Sequence, residues 1–375
     1  MCIIKSINYK FDPGSWLPAK MKKRISIHDI ARELNLSATT ISFVLNGKAE
    51  EKKISEDVRR KVSDYIKKVG YQPNMIAKSL RTGKTRVIGM LVEDLSDPFF
   101  SGISRGIETI AYDHKYKIFF ASTENDTEKT KALIKVFRER QVDGYIMAPP
   151  CGVEDEISAL MEDNVPVILF DRYLPSLNTN TVIIDNFSGS YQAVKHLQEN
   201  GFSNIALITL NSEQTQMHAR LQGYSKAIEE SGFQPVVQKL PCKLSHQAGA
   251  EMVREFIKQH DKVDAIIFAT NYLAISGLQA IRDLGLAIPG NIAVVGFDDN
   301  THFNLFTPSI TAVAQPTEEI AQEVVHQLLN ALSNERESKK RRMVMLPVKL
   351  IVRDSSFPKV IKKIVHSQPS TMKTS

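Results

Sequence analysis

Cysteine is scarce in this chain. Its three copies among 375 residues, Cys2, Cys151 and Cys242, are too few and too scattered for a disulfide framework or a zinc site. Long apolar runs are missing too: none approaches the roughly eighteen residues that a membrane-crossing helix needs, so no membrane partner is expected. The first twenty residues, MCIIKSINYKFDPGSWLPAK, lack the apolar stretch of a secretion signal. A cytoplasmic protein is the expectation. Catalytic signatures are also wanting, with no His-Glu-x-x-His pair, no Gly-x-Ser-x-Gly elbow and no Cys-x-x-Cys. Asp298-Asp299 sets two carboxyls side by side, but adjacent side chains usually point apart. Gly83-Lys84-Thr85 looks like the end of a phosphate-binding loop, yet the earlier glycine of such a loop would fall at Lys78. Neither an enzyme nor a bound cofactor is expected.

What is present is unevenly spread. The net charge of +6 combines a segment at 21–86 with 16 Lys/Arg against 7 Asp/Glu and a segment at 87–354 with 25 against 34. The first balance is +9 and the second −9, with +2 at 1–20 and +4 at 355–375. A small basic block ahead of a large acidic one fits a nucleic-acid-binding module joined to something else. A merely solvated Lys-rich helix is the plainer alternative.

Within the basic block, Ser26-Ile27-His28-Asp29 has the spacing of a helix cap, with an acid three residues after the serine. Ile27, Ile30, Ala31 and Leu34 follow at helical intervals. Asn35-Leu36-Ser37 breaks that run, and Ser37 can cap a second helix whose stripe is Ile41, Val44 and Leu45. Two short helices joined by so tight a turn predict a helix-turn-helix, whose second helix enters a major groove. A third helix is predicted from Ser55 to Gly70, with Val58, Val62, Tyr65, Ile66 and Val69 on one face. Its Lys/Arg side chains would supply phosphate contacts, which position a module without reading sequence.

The runs ISIHDIARELNLSATTISFVLNG, ISEDVRRKV and GYQPNMIAKSLRTGKTRVIGMLV closely resemble the amino-terminal region of the lactose-repressor/galactose-repressor (LacI/GalR) family, and the likeness extends through nearly all of 24–354. The resemblance implies that Ala38, Thr39 and Phe43 face base edges, while Thr40, Ser42 and Asn46 hold the phosphate backbone beside the capping Ser37. Arg is common where Phe43 stands and grips guanine with two hydrogen bonds; Phe offers only apolar contact, for example to a thymine methyl. An operator less dependent on guanine at that position is the expectation. Packing of Phe43 into the three-helix core is the alternative. Asn74 to Leu80 corresponds to the family's short hinge helix, which orders on DNA. Leu80 matches the wedge inserted into the minor groove, and Ala77 the small residue that lets the partner helix approach.

From Val87 short apolar runs (VIGMLV, KIFFA, DGYIMA, PVILF, NIALIT, VDAIIFA, IAVVGF) alternate with helical stretches near 99–114, 127–141, 188–200, 216–231, 246–260, 274–284 and 317–333. Such alternation means parallel sheets, and its length exceeds one sheet. The expected fold is therefore an α-helical helix-turn-helix head plus an α/β core of two parallel-sheet subdomains, which the resemblance identifies as periplasmic-binding-protein-like. The expected organisation is an unmatched extension at 1–20, a DNA-binding domain at 21–70, a hinge at 71–86 with its helix at 74–81, a core at 87–354 and a basic tail at 355–375. Met21-Lys22-Lys23-Arg24 looks like a natural start, so 1–20 is expected to be a misassigned start or a disordered extension. The chain should cross between subdomains near 185, 313 and 346.

Ligands of open α/β sheets sit beyond the carboxyl ends of the strands. Candidates there are Phe99 in Asp97-Pro98-Phe99-Phe100, Asp171 after PVILF, Arg220 in Arg-Leu-Gln-Gly-Tyr, Asn271 after VDAIIFAT and Asp298 after IAVVGF. Leu244 falls where some relatives place an aromatic over the ligand, and Tyr272 where the family usually has Asp. One arginine with several carboxyl and amide groups beside aromatic faces suits a hydroxyl-rich ligand such as a sugar. Blander roles exist for each: helix cap for the aspartates, surface ion pair for Arg220, core for Phe99. The reading is a homodimeric regulator that binds operator DNA and a small-molecule effector, a carbohydrate or its phosphate. A solute-binding protein or a sugar-modifying enzyme of the same core fold is the rival.

Overall fold

The computed structural model describes residues 25–71, 83–333 and 341–357. The chain forms two compact units divided between Thr85 and Arg86.

The first unit is helical. Helices α1 (Ile27–Leu34), α2 (Ala38–Leu45) and α3 (Glu56–Val69) enclose a small core of Ile30, Ala31, Leu34, Ile41 and Val62. Ser26 and Asp29 form the reciprocal cap that their spacing predicts: Ser26 Oγ accepts from the Asp29 amide, and the Asp29 carboxylate accepts from the Ser26 amide at 2.9 Å. Asn35 ends α1 in a left-handed conformation, so α2 starts within three residues. Gly70 ends α3 at φ 61°, a conformation that favours glycine. Lys61 Nζ donates to the Leu34 carbonyl at 3.3 Å, tying α3 to the end of α1.

The second unit holds two six-stranded sheets. The first has the order β11-β5-β4-β3-β1-β2, from β1 (Val87–Val92), β2 (Lys117–Ser122), β3 (Gly144–Met147), β4 (Val167–Phe170), β5 (Asn180–Ile184) and β11 (Met343–Leu346). The second has the order β12-β10-β9-β8-β6-β7, from β6 (Ile205–Leu210), β7 (Val236–Leu240), β8 (Ala265–Phe268), β9 (Ala293–Phe297), β10 (Thr311–Ala314) and β12 (Lys349–Ile351). Interior strands such as VILF and AIIF are apolar on both faces because helices cover both. Both sheets are parallel, as expected, apart from the edge strand β12, which pairs antiparallel with β10. Only Pro347 and Val348 separate β11 from β12, too few residues for the crossover that a parallel return would require.

The covering helices of the first sheet are α4 (Pro98–Asp113), α5 (Thr127–Glu139), α6 (Glu154–Glu162) and α11 (Thr317–Leu332). Those of the second are α7 (Asn186–Glu199), α8 (Thr215–Glu230), α9 (His246–Gln259) and α10 (Asn271–Asp283). Helix α6 is one that hydrophobic periodicity does not predict, since it buries only Ile157 and Leu160. The chain leaves the first sheet at Asp185, returns through Gln315–Pro316 and crosses again at Pro347–Val348. These passages set the carboxyl ends of the two sheets face to face.

Candidate functional site

In the head, α2 exposes Thr39 and half-buries Ala38, Thr40, Ser42 and Phe43. Ser37 Oγ accepts from the Thr40 amide at 3.0 Å and lies 2.8 Å from the Thr40 hydroxyl, so the first turn is pre-shaped. Asn46 Nδ2 donates to the Ser42 carbonyl at 2.7 Å, closing the other end of the helix. Phe43 is outside the head's apolar core, which sets aside the packing alternative. The Lys52 ammonium stands 5.7 Å from its ring centroid. The expected hinge residues Asn74, Ala77 and Leu80, like the segments 1–20 and 358–375, lie outside the described residues.

In the second unit, Phe99, Asp171, Arg220, Leu244, Asn271 and Asp298 all line one cavity of about 460 Å³ between the two sheets. The Arg-x-x-Gly-Tyr run on α8 explains itself residue by residue. Arg220 is 1% exposed. Its Nε donates to Asn186 Oδ1 at 2.8 Å, and its terminal nitrogens reach the Ala269 carbonyl at 2.5 Å and both Asp298 carboxylate oxygens at 3.4 Å. The guanidinium lies 3.6 Å from the Phe297 ring centroid, a favourable cation–π geometry. At Gly223 a Cβ would stand 2.1 Å from the Phe187 carbonyl oxygen, so only glycine lets α8 approach α7 this closely. Tyr224 Oη donates to the Ile205 carbonyl at 2.8 Å and accepts from the Val236 amide at 2.9 Å, fixing α8 to the second sheet.

Asp171 and Asp298 occupy equivalent places in the two sheets, one residue past β4 and β9. Both adopt left-handed backbone, at φ 66° and 68°. Each amide donates to the neighbouring strand, Asp171 to the Val182 carbonyl at 3.1 Å and Asp298 to the Val313 carbonyl at 3.0 Å. The left-handed region costs a non-glycine residue about 1 kcal/mol, and Asp tolerates it better than most. The same turn therefore aims one carboxylate into the cleft from each side. Gln315 Nε2, at a crossover, also donates to Asp298.

Behind Asp171 sits Arg172, 2% exposed. It reaches Asp171 at 3.0 Å, Glu93 Oε2 at 2.8 Å and Asn125 Oδ1 at 2.8 Å. Burial pushes the Asp171 carboxyl above its ordinary range, with Arg172 and Arg220 pulling the other way. Asp97 caps α4 through the Phe99 amide at 2.8 Å and also lines the cavity, so the cap role and the cleft role coexist. Burial, and then the charge of Asp298, push the Asp97 carboxyl up to about 6. Phe99 likewise has two roles, in the apolar core and on the cavity wall. Gln216 and Asn271 bridge the cleft, donating to Asp171 and Asp97 at 3.4 Å each.

Glu93, Asn186, Gln216 and Gln315 are site residues that the sequence reading missed. Glu93 follows β1, so the strand-end rule would have found it. The other three depend on partners far along the chain and leave no local signal. No group of three or more His, Cys, Asp or Glu able to hold a metal occurs among the described residues. No described helix is long and apolar enough to cross a membrane.

Comparison with known proteins follows the same division. Residues 26–74 match the model for bacterial regulatory proteins of the lacI family, and residues 194–356 that for a periplasmic binding protein-like domain. The chain is 34% identical to the HTH-type transcriptional regulator RegA of Clostridium saccharobutylicum, over 88% of this chain and 99% of that protein. The structure of the lac repressor dimer bound to operator and an anti-inducer superposes with a TM-score of 0.78 at 23% identity, over 89% of this chain and all of that one. A LacI family regulator from Enterococcus faecium with bound ribose gives a TM-score of 0.65 at 27% identity, over 72% of this chain and 98% of that one.

Proposed function

The chain belongs to the lacI family of bacterial regulatory proteins and is a DNA-binding transcriptional regulator, and we propose that it works as a homodimeric repressor under the control of a small carbohydrate. Two heads on one dimer read a palindromic operator through successive major grooves. Ala38, Thr39 and Phe43 meet base edges, while Ser37, Thr40, Ser42 and Asn46 hold phosphates. Asn74, Ala77 and Leu80 belong to the hinge that bends the operator at its minor groove. The protein acts in the cytoplasm, and catalysis has no part in this reading.

The effector is a sugar or sugar phosphate bound among Phe99, Asp171, Arg220, Leu244, Asn271 and Asp298. The observation that supports this is the mirrored pair Asp171 and Asp298, two carboxylates aimed at one cavity from opposite sheets. Carboxylates accept hydrogen bonds from vicinal hydroxyls, and Phe99 and Tyr272 offer apolar faces to a sugar ring. Gln216 and Asn271 bridge the cleft inside the cavity through 3.4 Å contacts, so a ligand taking them over changes how the subdomains close. That closure is coupled to operator affinity, and the coupling is reciprocal. Binding-site selection with the purified chain tests the DNA half. Recovery of a two-fold symmetric site supports the reading, and a pool without symmetry contradicts it.

A further inference from the structure

Helix α2 turns two stripes in opposite directions. Ala38, Ile41, Val44 and Leu45 pack on the head's apolar core, while Thr39, Ser42, Phe43 and Asn46, at i, i+3, i+4 and i+7, stand on the other side. The second helix of a helix-turn-helix meets the major groove with its outward stripe. Phe43 is therefore an apolar side chain on the groove-facing surface. A lysine stands beside it, carried by a segment outside both helices of the motif.

Between α2 and α3 the chain makes a turn that is pinned at both ends. The Lys48 amide donates to the Phe43 carbonyl at 2.9 Å, and the Lys52 amide to the Lys48 carbonyl at 3.0 Å. The Ile54 amide donates to the Ala49 carbonyl at 2.8 Å, with the Ala49 side chain buried. Arg59 Nη1 on α3 holds Glu50 at 3.2 Å. Lys53 closes the turn in left-handed backbone, at φ 52°. The backbone thus fixes where the Lys52 side chain starts, and its ammonium lies 5.7 Å from the Phe43 ring centroid. Attraction between the cation and the ring narrows the rotamers that the side chain has to lose on binding. In the free chain the ammonium pairs with Glu51 at 3.1 Å, and both side chains are exposed. An ion pair between exposed groups contributes little and gives way readily to a phosphate.

We infer that Lys52 is a DNA-binding residue, that its ammonium takes a backbone phosphate at the rim of the groove entered by α2, and that it acts as one unit with Phe43. The inference rests on the reading of α2 as the groove-entering helix and adds a contact from outside the helix pair. A phosphate rather than a base edge is the target, because the turn lies beyond the C-terminal end of α2, whereas the first residues of such a helix lead toward the bases.

Fluorescence anisotropy of the full chain with a fluorescein-labelled duplex tests this over a series of KCl concentrations. The duplex is the sequence that the unaltered chain selects from a random pool. Each phosphate contact contributes about 0.9 to the slope of log affinity against log salt, which is about eightfold in affinity near 0.1 M salt. Lys52→Gln should therefore weaken binding about eightfold for each head and flatten the slope by about one for each head. Lys52→Arg retains the charge and should retain both. The preferred bases should be the same in Lys52→Gln as in the parent. Combining Lys52→Gln with Phe43→Ala should weaken binding by less than the product of the two single effects. A Lys52→Gln slope equal to the parent's overturns the inference even where affinity falls, because lost packing changes affinity without changing ion release. A preferred base lost at one position in Lys52→Gln overturns the phosphate assignment in favour of base reading. Single effects that simply multiply in the double variant overturn the coupling to Phe43. An unaltered chain that retains no duplex from the pool overturns the reading of α2, and the inference falls with it.

Discussion

Replacing Arg220 by methionine removes the guanidinium that faces Asp298 while keeping a side chain of similar reach. Arg220 is 1% exposed and Asp298 8%. The carboxylate would be left buried, with Asp171 and Asp97 as its charged neighbours. Breaking a buried pair by removing one partner costs about 3–5 kcal/mol. Two further hydrogen bonds go with it, to Asn186 and to the Ala269 carbonyl, each worth about 1 kcal/mol net. Against this, an apolar methionine in a buried site recovers about 1–3 kcal/mol. The balance is a loss of roughly 4 kcal/mol.

Equilibrium urea unfolding followed by far-UV circular dichroism measures this. The companion variant Asp298→Asn removes the charge that Arg220 balances. In that background Arg220→Met should cost about 2 kcal/mol less than it does alone. A single-variant loss under about 1 kcal/mol, or the absence of any coupling in the cycle, would refute the view that this pair organises the cleft.

Asp97 predicts a pH dependence. Its carboxyl titrates at about 6 in the folded chain, against an ordinary value of 3.8. Between those values the folded chain holds a proton that the unfolded chain has released, so stability falls as pH rises through the window, by on the order of 2–3 kcal/mol. Asp97→Asn should therefore be more stable than the parent at pH 7, with the difference vanishing near pH 4 in urea titrations; a difference independent of pH would exclude this account. Phe43→Arg should introduce a required guanine at one position of each half-site in binding-site selection, with about 1–3 kcal/mol of discrimination. Gly223→Ala sets a Cβ against the Phe187 backbone and should cost about 3 kcal/mol, roughly 6–12 °C in Tm by calorimetry.

The sequence made the fold legible wherever a local rule was sufficient. The Ser26–Asp29 cap, the break at Asn35 and the stop at Gly70 depend on residues within one turn of one another. The strand–helix alternation revealed the two-layered core because buried parallel strands are apolar throughout. It missed α6, whose apolar face is only two residues wide, and it missed the antiparallel turn of β12, which is set by the short Pro347-Val348 link. The cleft was readable where a strand-end rule or a family motif marked a position, as at Asp171, Arg220 and Asp298. It was unreadable where a role depends on distant partners. Arg172 owes its burial to Glu93, 79 positions earlier, and to Asn125, 47 positions earlier. Sequence-based roles for Asp97 and Phe99 were posed as alternatives, cap or cleft, core or cleft. Each residue performs both, because the helix start that caps α4 is also the wall of the cavity.

The central claim is that one chain couples operator binding to occupancy of the acidic cleft. Its most direct test is genomic footprinting of the protein in cells with and without a candidate sugar. The account predicts protection of palindromic sites whose occupancy changes when that sugar is supplied, and loss of that change in Arg220→Met. Palindromic sites occupied equally under every condition, or no protected sites at all, would contradict it.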